Sequence, residues 1–278
     1  MLPEPEHVDI GHLRIAYRAH GAGAPVILLH GFFGDARVWR GQFELADEYR
    51  VIAWDAPGCG GSSRPPHTFR IADYADLLAR FIRALDVAAP HLVGNSFGGA
   101  LALALEARHP GTARSLVLVG AYAGWSGSFP PEVVATRLAK SLPDLDLRRD
   151  EVARKWLPGF VTPSAPQPLV DELAAIISDF DPDGMRSMIL ALAEADLRTA
   201  LPMISPPTLL LWGEQDQRSS LEVAKDLAAG ISGSKLVVLP GASHLTQMEA
   251  ASRFNTELRS FLRRVSHSQT AQEPTTRH

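Results

Sequence analysis

Short apolar runs alternate with helical patterns along most of this 278-residue chain, and this alternation restricts the possible folds more than any other feature. Each run has the length and the continuous apolar character of a buried parallel strand. Two segments in which apolar and polar residues alternate lie on either side of Gly11-His12, and they predict an opening hairpin. With that hairpin first, the predicted strands are 8–10, 13–17, 26–29, 51–54, 91–93, 116–119, 208–212 and 236–239. We therefore expect an α/β fold: a mostly parallel eight-stranded sheet, helices on both faces, and ligands at the carboxyl ends of the strands.

The alternation breaks between residues 123 and 206, where prolines are frequent and several amphipathic helices are predicted. One of these helices has Asp181 as its expected N-cap, followed by proline at the first helical position. We expect 123–206 to form a helical cap inserted into a core made of residues 1–122 and 207–265. A few additional core helices are the alternative. Residues 266–278 are polar and show no pattern, which predicts a disordered tail.

Composition excludes several classes of partner. A net charge of −4 and the lack of a Lys/Arg run argue against a nucleic-acid partner and against an anionic membrane surface. The single cysteine, Cys59, excludes an internal disulfide. The first residues lack the basic and apolar regions of a secretory signal, and no apolar stretch is long enough to span a membrane. We expect a cytoplasmic protein that acts on a small molecule; the oligomeric state is left open.

The hexapeptide Gly-Asn-Ser-Phe-Gly-Gly at 94–99 stands between a predicted strand and a predicted helix. A serine at such a junction needs a very tight turn, and glycines two residues before and two after it allow the backbone to fold back. The turn exposes the Ser96 hydroxyl at the sheet edge. It also directs the Phe97 N–H and the helix N-terminus towards an incoming carbonyl group. Ser96 is therefore the candidate nucleophile.

A serine hydroxyl needs a general base, and the base needs a carboxylate that orients it. In sheets of this kind the chain order is serine, acid, histidine, each on a loop that follows a strand. Asp216 lies in the loop after strand 208–212, and His244 lies in the loop after strand 236–239. Glu214 competes with Asp216 for the role of the acid. Its place next to the strand end, however, favours a side chain that points to solvent or caps the loop. We predict Asp216 as the acid and His244 as the base.

A tetrahedral oxyanion needs two N–H donors. The Phe97 amide, directly after the nucleophile, is one of them. The other is expected from the loop at 30–34, His-Gly-Phe-Phe-Gly, where Gly31 allows a close approach of the backbone. We assign the second donor to the Phe32 amide, with Phe33 as the alternative. Because these donors are main-chain groups, the phenylalanine side chains are free to line an apolar pocket.

Five motifs occur in a fixed order: H-G-F-F-G (30–34), D-A-P-G-C-G-G-S (55–62), G-N-S-F-G-G (94–99), W-G-E-Q-D (212–216) and G-A-S-H (241–244). In this order and spacing they resemble the α/β-hydrolase superfamily, over about residues 8–264. The resemblance implies a Ser96–His244–Asp216 triad, a covalent acyl-enzyme that water then hydrolyses, and no metal or organic cofactor. The serine nucleophile excludes the haloalkane and epoxide chemistry that uses an aspartate nucleophile in this fold.

A cap in this position shapes the substrate pocket in that superfamily. The candidate pocket residues are Phe33, Trp125, Phe129, Trp156, Phe160, Met185 and Met188. Between about residues 130 and 200 acidic residues outnumber basic ones, which favours a neutral, moderately hydrophobic ester, lactone or thioester. A single inward-facing arginine would reverse that preference.

Several activities share these motifs, since the superfold hosts many chemistries. Carboxylesterases and lactonases are one group, and cofactor-free perhydrolases that resemble haloperoxidases are another. A third group hydrolyses carbon–carbon bonds of vinylogous diketones. Asn95 is similar to that third group, but Phe32-Phe33 replaces its glycine- and proline-rich oxyanion loop. A small-molecule receptor with slow turnover could share the same residues. Hydrolysis of a carboxylic ester or lactone is the main prediction.

Overall fold

A single sheet of eight strands organises the computed structural model, which describes residues 2–270. The strands are β1 (Glu6–Ile10), β2 (Leu13–His20), β3 (Ala24–Leu29), β4 (Tyr49–Trp54), β5 (His91–Asn95), β6 (Ser115–Val119), β7 (Thr208–Gly213) and β8 (Lys235–Leu239). Their order is β1-β2-β4-β3-β5-β6-β7-β8. The pairs β1–β2 and β2–β4 are antiparallel, and all the others are parallel. The predicted mostly parallel eight-stranded sheet is confirmed.

Alternate residues of the central strands enter two separate cores, because successive side chains of a strand point to opposite faces. In β3, Ile27 and Leu29 belong to one core, whereas Val26 and Leu28 belong to the other. The first core is covered by α1 (Ile71–Ala84), α2 (Phe97–Arg108) and α7 (Leu221–Gly230). The second core is covered by α9 (Ala251–Thr270) and by a 3₁₀ segment at 36–47. Burial on both faces explains why these strands are continuously apolar in the sequence.

Between β6 and β7 the chain forms helices and no strand. These helices are α3 (Pro131–Asp144), α4 (Arg149–Trp156), α5 (Gln167–Ser178) and α6 (Pro182–Glu194), with short 3₁₀ segments at 157–159 and 198–203. Asp181 caps α6 by accepting a hydrogen bond from the Gly184 N–H at 2.8 Å. The α6 side chain of Met188 contacts the core loop, where its sulfur lies 3.4 Å from Cys59 Sγ.

The C-terminal helix departs from the sequence prediction. The helix α8 (Thr246–Glu249) precedes α9, which continues to Thr270 and so passes the predicted end of the core at residue 265. Residues 266–270 are therefore helical rather than a disordered tail. The apolar face that includes Leu262 and Val265 packs on the sheet, and the helix propagates by a further turn from that anchored end. The rest of the predicted tail, 271–278, lies outside the described residues.

Within residues 2–270 no helix is both long and apolar enough to cross a membrane.

His91, the first residue of β5, predicts a pH dependence of stability. It is fully buried, and its Nδ1 lies 2.7 Å from Ser115 Oγ. Burial, with a smaller effect of the Arg114 charge, lowers its pKa from 6.5 to about 4. Below pH 6.5 the unfolded chain binds a proton here that the folded chain does not bind. The free energy of unfolding should therefore fall between pH 6.5 and 4, by up to about 3 kcal/mol from this group.

Urea unfolding of the wild type and of His91→Asn at pH 7.5 and 4.5 measures this effect. Asparagine can still bond Ser115 but does not titrate. The stability advantage of the wild type over the variant should shrink by about 2–3 kcal/mol at the lower pH. An equal advantage at both pH values would contradict the prediction.

Candidate active site

Ser96 lies at the turn between β5 and α2. Its backbone has φ 54° and ψ −113°, a conformation that a residue with a side chain adopts only when its surroundings hold it there. The flanking glycines make this turn feasible. A Cβ on Gly98 would overlap the Leu29 carbonyl group, and a Cβ on Gly94 would overlap the Gly98 carbonyl group. The turn places Ser96 at the carboxyl edge of the sheet.

The predicted acid and base meet at the same edge, because β5, β7 and β8 run parallel. His244 Nδ1 lies 2.8 Å from Asp216 Oδ2, and both side chains are almost completely buried. The other carboxylate oxygen, Oδ1, accepts hydrogen bonds from the N–H groups of Arg218 and Ser219, both at 2.9 Å. With Nδ1–H donated to the carboxylate, the Nε2 lone pair of His244 is left to accept a proton.

Asn95 joins the Ser96 turn to the histidine loop. Its Nδ2 donates to the main-chain carbonyls of Val119 and His244, both at 3.2 Å. Between the described side chains of Ser96 and His244 themselves there is no hydrogen bond of normal geometry. Such bonds are often long in a free enzyme and tighten when substrate binds. The structure therefore brings the three predicted residues to one edge, with the acid–base half already assembled.

Glu214, the competing candidate for the acid, is exposed. Its Oε2 accepts a hydrogen bond from the Gly241 N–H at 3.1 Å. This contact stabilises the loop that follows β8. Of these two carboxylates, only Asp216 contacts His244.

The loop after β3 lies against Ser96. A Cβ on Gly31 would lie 2.9 Å from Ser96 Cβ, so only glycine fits there without displacement. Phe33, further along the loop, has a φ of 56°, which is rare for a residue with a side chain. Within the described residues the main-chain amides of Phe32 and Phe97 donate no hydrogen bond, and their rings lie 6.1 Å apart. Two free donors beside a serine are what an oxyanion hole requires.

Gly31→Ala should lower kcat by about 10- to 1,000-fold, since the new methyl group must push the donor loop away from Ser96. Gly34→Ala is the matched control in the same loop. Its Cβ would meet Val38 Cγ1 at 3.3 Å, a contact that small side-chain shifts relieve, and kcat should stay within a few-fold. Steady-state kinetics on an ester that the wild type cleaves measures both variants. Equal losses in the two variants would contradict the assignment of this loop.

Aromatic side chains fill the space between the helical segment and the loops that carry the candidate triad. Phe160 stacks on His244 with ring centroids 5.9 Å apart. The ring centroids of Phe33 and Trp156 lie 4.5 Å apart, and those of Trp125 and Phe32 lie 5.8 Å apart. Four of the predicted pocket residues thus lie in or beside the loops of the candidate site: Phe33, Trp125, Trp156 and Phe160.

The other three candidate pocket residues have different neighbours. Phe129 packs on Tyr122 at 5.7 Å. Met185 and Met188 are buried on α6, and Met188 contacts Cys59. A role of these three in a pocket stays a prediction.

The space around Ser96 and His244, called the chamber here, is closed in this conformation, since these residues are only 5% and 1% exposed. A cavity of about 10 Å³ beside Phe33 and Phe160 has room for about one water molecule. The buried Oδ1 of Asn95, which borders this cavity, has no hydrogen-bond partner. Entry of a substrate therefore requires that the aromatic side chains or the helices above them move.

Comparison with known proteins identifies the family of this chain. A model of the alpha/beta hydrolase fold family matches residues 24–251. The chain belongs to this family. It is similar to 2-hydroxymuconate semialdehyde hydrolase from Pseudomonas sp. strain CF600, with 34% identity over 259 residues, covering 87% of this chain and 88% of that protein. It is also similar to the dihydrolipoyllysine-residue acetyltransferase component of the acetoin cleaving system from Pseudomonas putida, with 29% identity over 272 residues. This match covers 94% of this chain and 70% of that protein.

Among solved structures, a thermophilic esterase from Thermogutta terrifontis superposes with a TM-score of 0.84. It is 29% identical and covers 94% of this chain and 99% of its own. The Ser96 turn, the loop after β3 and the Asp216–His244 pair described above therefore belong to an α/β hydrolase.

The sequence analysis missed Arg218 of this hydrolase. Its guanidinium carbon lies 4.3 Å from the Trp156 ring centroid and 4.2 Å from that of Phe160. It donates to the carbonyls of Gly159 at 3.1 Å and Trp156 at 3.0 Å. Burial lowers its pKa to about 10, so the side chain stays charged at neutral pH. Its place two residues after Asp216 is the signal that sequence analysis could have used.

Glu249 is a second residue that the sequence analysis did not assign. Its carboxylate accepts hydrogen bonds from the N–H groups of Thr162 and Ser243, both at 2.7 Å. The Leu245 N–H donates to the Phe160 carbonyl at 3.0 Å. Together with Arg218, these contacts hold segment 156–162 against both the acid loop and the histidine loop.

No group of three or more His, Cys, Asp or Glu residues suited to a metal ion occurs in the described part of the chain.

Proposed function

We propose that this α/β hydrolase is a serine hydrolase that cleaves a carboxylic ester or a lactone through an acyl-enzyme. The observation that carries the proposal is the buried Asp216–His244 pair beside the strained Ser96 turn. A strained residue, a polar pair excluded from solvent and two free amides at one sheet edge have a cost in stability, and such costs concentrate at functional sites.

The proposed reaction begins when Ser96 Oγ attacks the carbonyl carbon and His244 Nε2 takes the hydroxyl proton. The amides of Phe32 and Phe97 stabilise the negative charge that forms on the carbonyl oxygen. Protonated His244 then donates its proton to the leaving alkoxide, and the acyl group remains on Ser96. Water, activated by His244, releases the acid and regenerates the serine. Asp216 orients the imidazole and stabilises its protonated form.

The likeness to an esterase and the apolar aromatic chamber support an ester or lactone with a hydrophobic acyl part. Carbon–carbon hydrolysis is the second candidate, because the relative from strain CF600 is named as a semialdehyde hydrolase. The Asn95 side chain donates its amide protons to two main-chain carbonyls, so it has a structural use that does not depend on carbon–carbon chemistry. The protein is expected to act on a small molecule in the cytoplasm.

A substrate panel tests the proposal. It contains p-nitrophenyl esters of graded chain length, γ- and δ-lactones and a vinylogous 1,5-diketone, with Ser96→Ala as the blank. Repeated turnover of esters or lactones that Ser96→Ala abolishes would support the proposal. Turnover of the diketone alone would favour the second candidate. A single equivalent of p-nitrophenol followed by a stable acyl-enzyme with every ester would favour a receptor with slow turnover.

A further inference from the structure

Arg137 of α3 lies at the joint between the helical segment and the core, without a carboxylate partner. Its guanidinium carbon lies 4.1 Å from the Phe129 ring centroid, 5.4 Å from that of Trp125 and 5.8 Å from that of Tyr122. Its Nη2 donates to the main-chain carbonyl of Arg218 at 2.8 Å. Among the ion pairs of the described residues, none involves Arg137. An arginine has five N–H donors in a planar fork. The Arg218 carbonyl and the Tyr122 hydroxyl use part of this capacity, and donors remain for a ligand.

A second donor without a partner lies beside it. Trp125 is 4% exposed, and its buried Nε1 has no hydrogen-bond partner among the described residues. Buried N–H groups are normally paired, and an unpaired one costs about 1–3 kcal/mol. The other side of Trp125 meets Phe32 edge to face. The tryptophan therefore connects Arg137 with the loop that supplies the predicted oxyanion donor.

The charges around this joint do not balance. Arg137 and Arg218 contribute two cations. Tyr122 contributes no anion: burial raises its pKa to about 12 although the nearby Arg137 charge acts in the opposite direction, so the hydroxyl remains neutral. Asp216 and Asp144 are the carboxylates whose charges act on Arg218. The oxygens of Asp216 are already bonded to His244 and to main-chain amides, and those of Asp144 are bonded to Lys155 and to the Trp156 Nε1–H. A partly buried cation without an anion is unfavourable, and a bound carboxylate would compensate it.

We propose that Arg137 and the Trp125 Nε1–H form a subsite for a carboxylate group of the substrate. This inference rests on the proposed function and deepens it: the ester or lactone carries a free carboxylate at the end away from the bond that is cleaved. A guanidinium can bind such a group through two parallel N–H···O bonds, and the indole N–H adds a third donor.

The excess of acidic residues in segment 130–200 does not oppose this inference. Several of its carboxylates are paired with arginines at the surface, as in Arg154–Asp150, Arg198–Asp196 and Arg64–Asp181. These pairs are neutral to a ligand inside the chamber. The sequence analysis favoured a neutral substrate unless an arginine faces inward. Arg137 is that arginine, so the expected substrate becomes an anionic one.

A matched pair of substrates tests the subsite: mono-p-nitrophenyl glutarate, which carries a carboxylate, and its methyl ester, which does not. The wild type should have a kcat/KM at least about tenfold higher for the carboxylate. Arg137→Met keeps an unbranched side chain over the rings and removes the charge. It should lower the ratio of the two kcat/KM values by about 10- to 100-fold. Trp125→Phe, which removes only the indole N–H donor and part of the ring, should lower the ratio by about 3- to 10-fold.

Arg186→Met is the control, because it removes a cation of the same helical segment that pairs with Asp146 at the surface. Its substrate ratio should equal that of the wild type. A ratio that Arg137→Met leaves unchanged in a folded protein would overturn the subsite, and so would an equal change in Arg186→Met.

A binding measurement separates this inference from the proposed function. Monomethyl glutarate should raise the thermal unfolding midpoint of the wild type, and the shift should be lost in Arg137→Met but kept in Arg186→Met. If neither ester is cleaved but this Arg137-dependent shift is present, the hydrolase proposal fails and the subsite stands. If the esters are cleaved with no preference and no shift occurs, the subsite fails and the hydrolase proposal stands.

Discussion

His244→Ala should lower kcat by about 10⁵- to 10⁶-fold, and the double variant Ser96→Ala/His244→Ala should lose little more. The nucleophile and the base act as a unit, since the Ser96 hydroxyl is a weak nucleophile unless His244 removes its proton. Once either residue is missing, the second has nothing to act with. The residual rate then comes from substrate binding and from the two amide donors.

Single-turnover and steady-state kinetics on an ester that the wild type cleaves measure three variants: Ser96→Ala, His244→Ala and the double variant. His67→Ala is the control, because this exposed histidine has no place near the triad. Labelling by a p-nitrophenyl phosphonate, followed by mass spectrometry of peptides, should place the adduct on Ser96 in the wild type. Losses in the two single variants that multiply in the double variant would show that Ser96 and His244 act independently.

Asp216→Asn should lower kcat by about 10⁴-fold while the substrate still binds. In the wild type the carboxylate accepts the His244 Nδ1 proton at 2.8 Å. An asparagine can instead turn its NH₂ group to this nitrogen, which favours the tautomer with the proton on Nε2. That tautomer cannot accept the Ser96 proton. Asparagine can still accept the two main-chain N–H groups through its carbonyl oxygen, so folding should be largely retained.

Glu214→Gln is the matched control for this change in the same loop. Its side chain bonds the Gly241 amide, and the amide oxygen of glutamine can keep that bond. Its kcat should remain within a few-fold of the wild type. The pH–rate profile adds a readout, because Asp216→Asn should regain activity at higher pH if hydroxide or water replaces the lost base. A 10⁴-fold loss in Glu214→Gln with an active Asp216→Asn would reverse the assignment of the acid.

Local signals in the sequence predicted the parts of the fold that depend on local chemistry. Alternating segments around Gly11-His12 marked β1 and β2, and continuous apolar runs marked the other six strands, because a strand buried in a parallel sheet is continuously apolar. The hexapeptide at 94–99 marked the tight turn at Ser96, because only glycine fits at positions 94 and 98. The loops after β7 and β8 marked Asp216 and His244. The prediction of a disordered tail was wrong for residues 266–270, since a polar sequence gives no sign that an anchored helix continues through it.

The sequence by itself determined the kind of fold and the chemical identities of the candidate triad, because strand burial and tight turns leave residue-by-residue signatures. Although the sequence favoured Asp216 over Glu214 as the acid, only the tertiary structure showed that Asp216 is the carboxylate that contacts His244, since both residues follow β7 and lie two positions apart. It also decided that Arg137 and Arg218 lie among aromatic rings at the joint between the helical segment and the core. A charged residue in a sequence is most often solvated, and its burial depends on contacts between segments that are far apart along the chain.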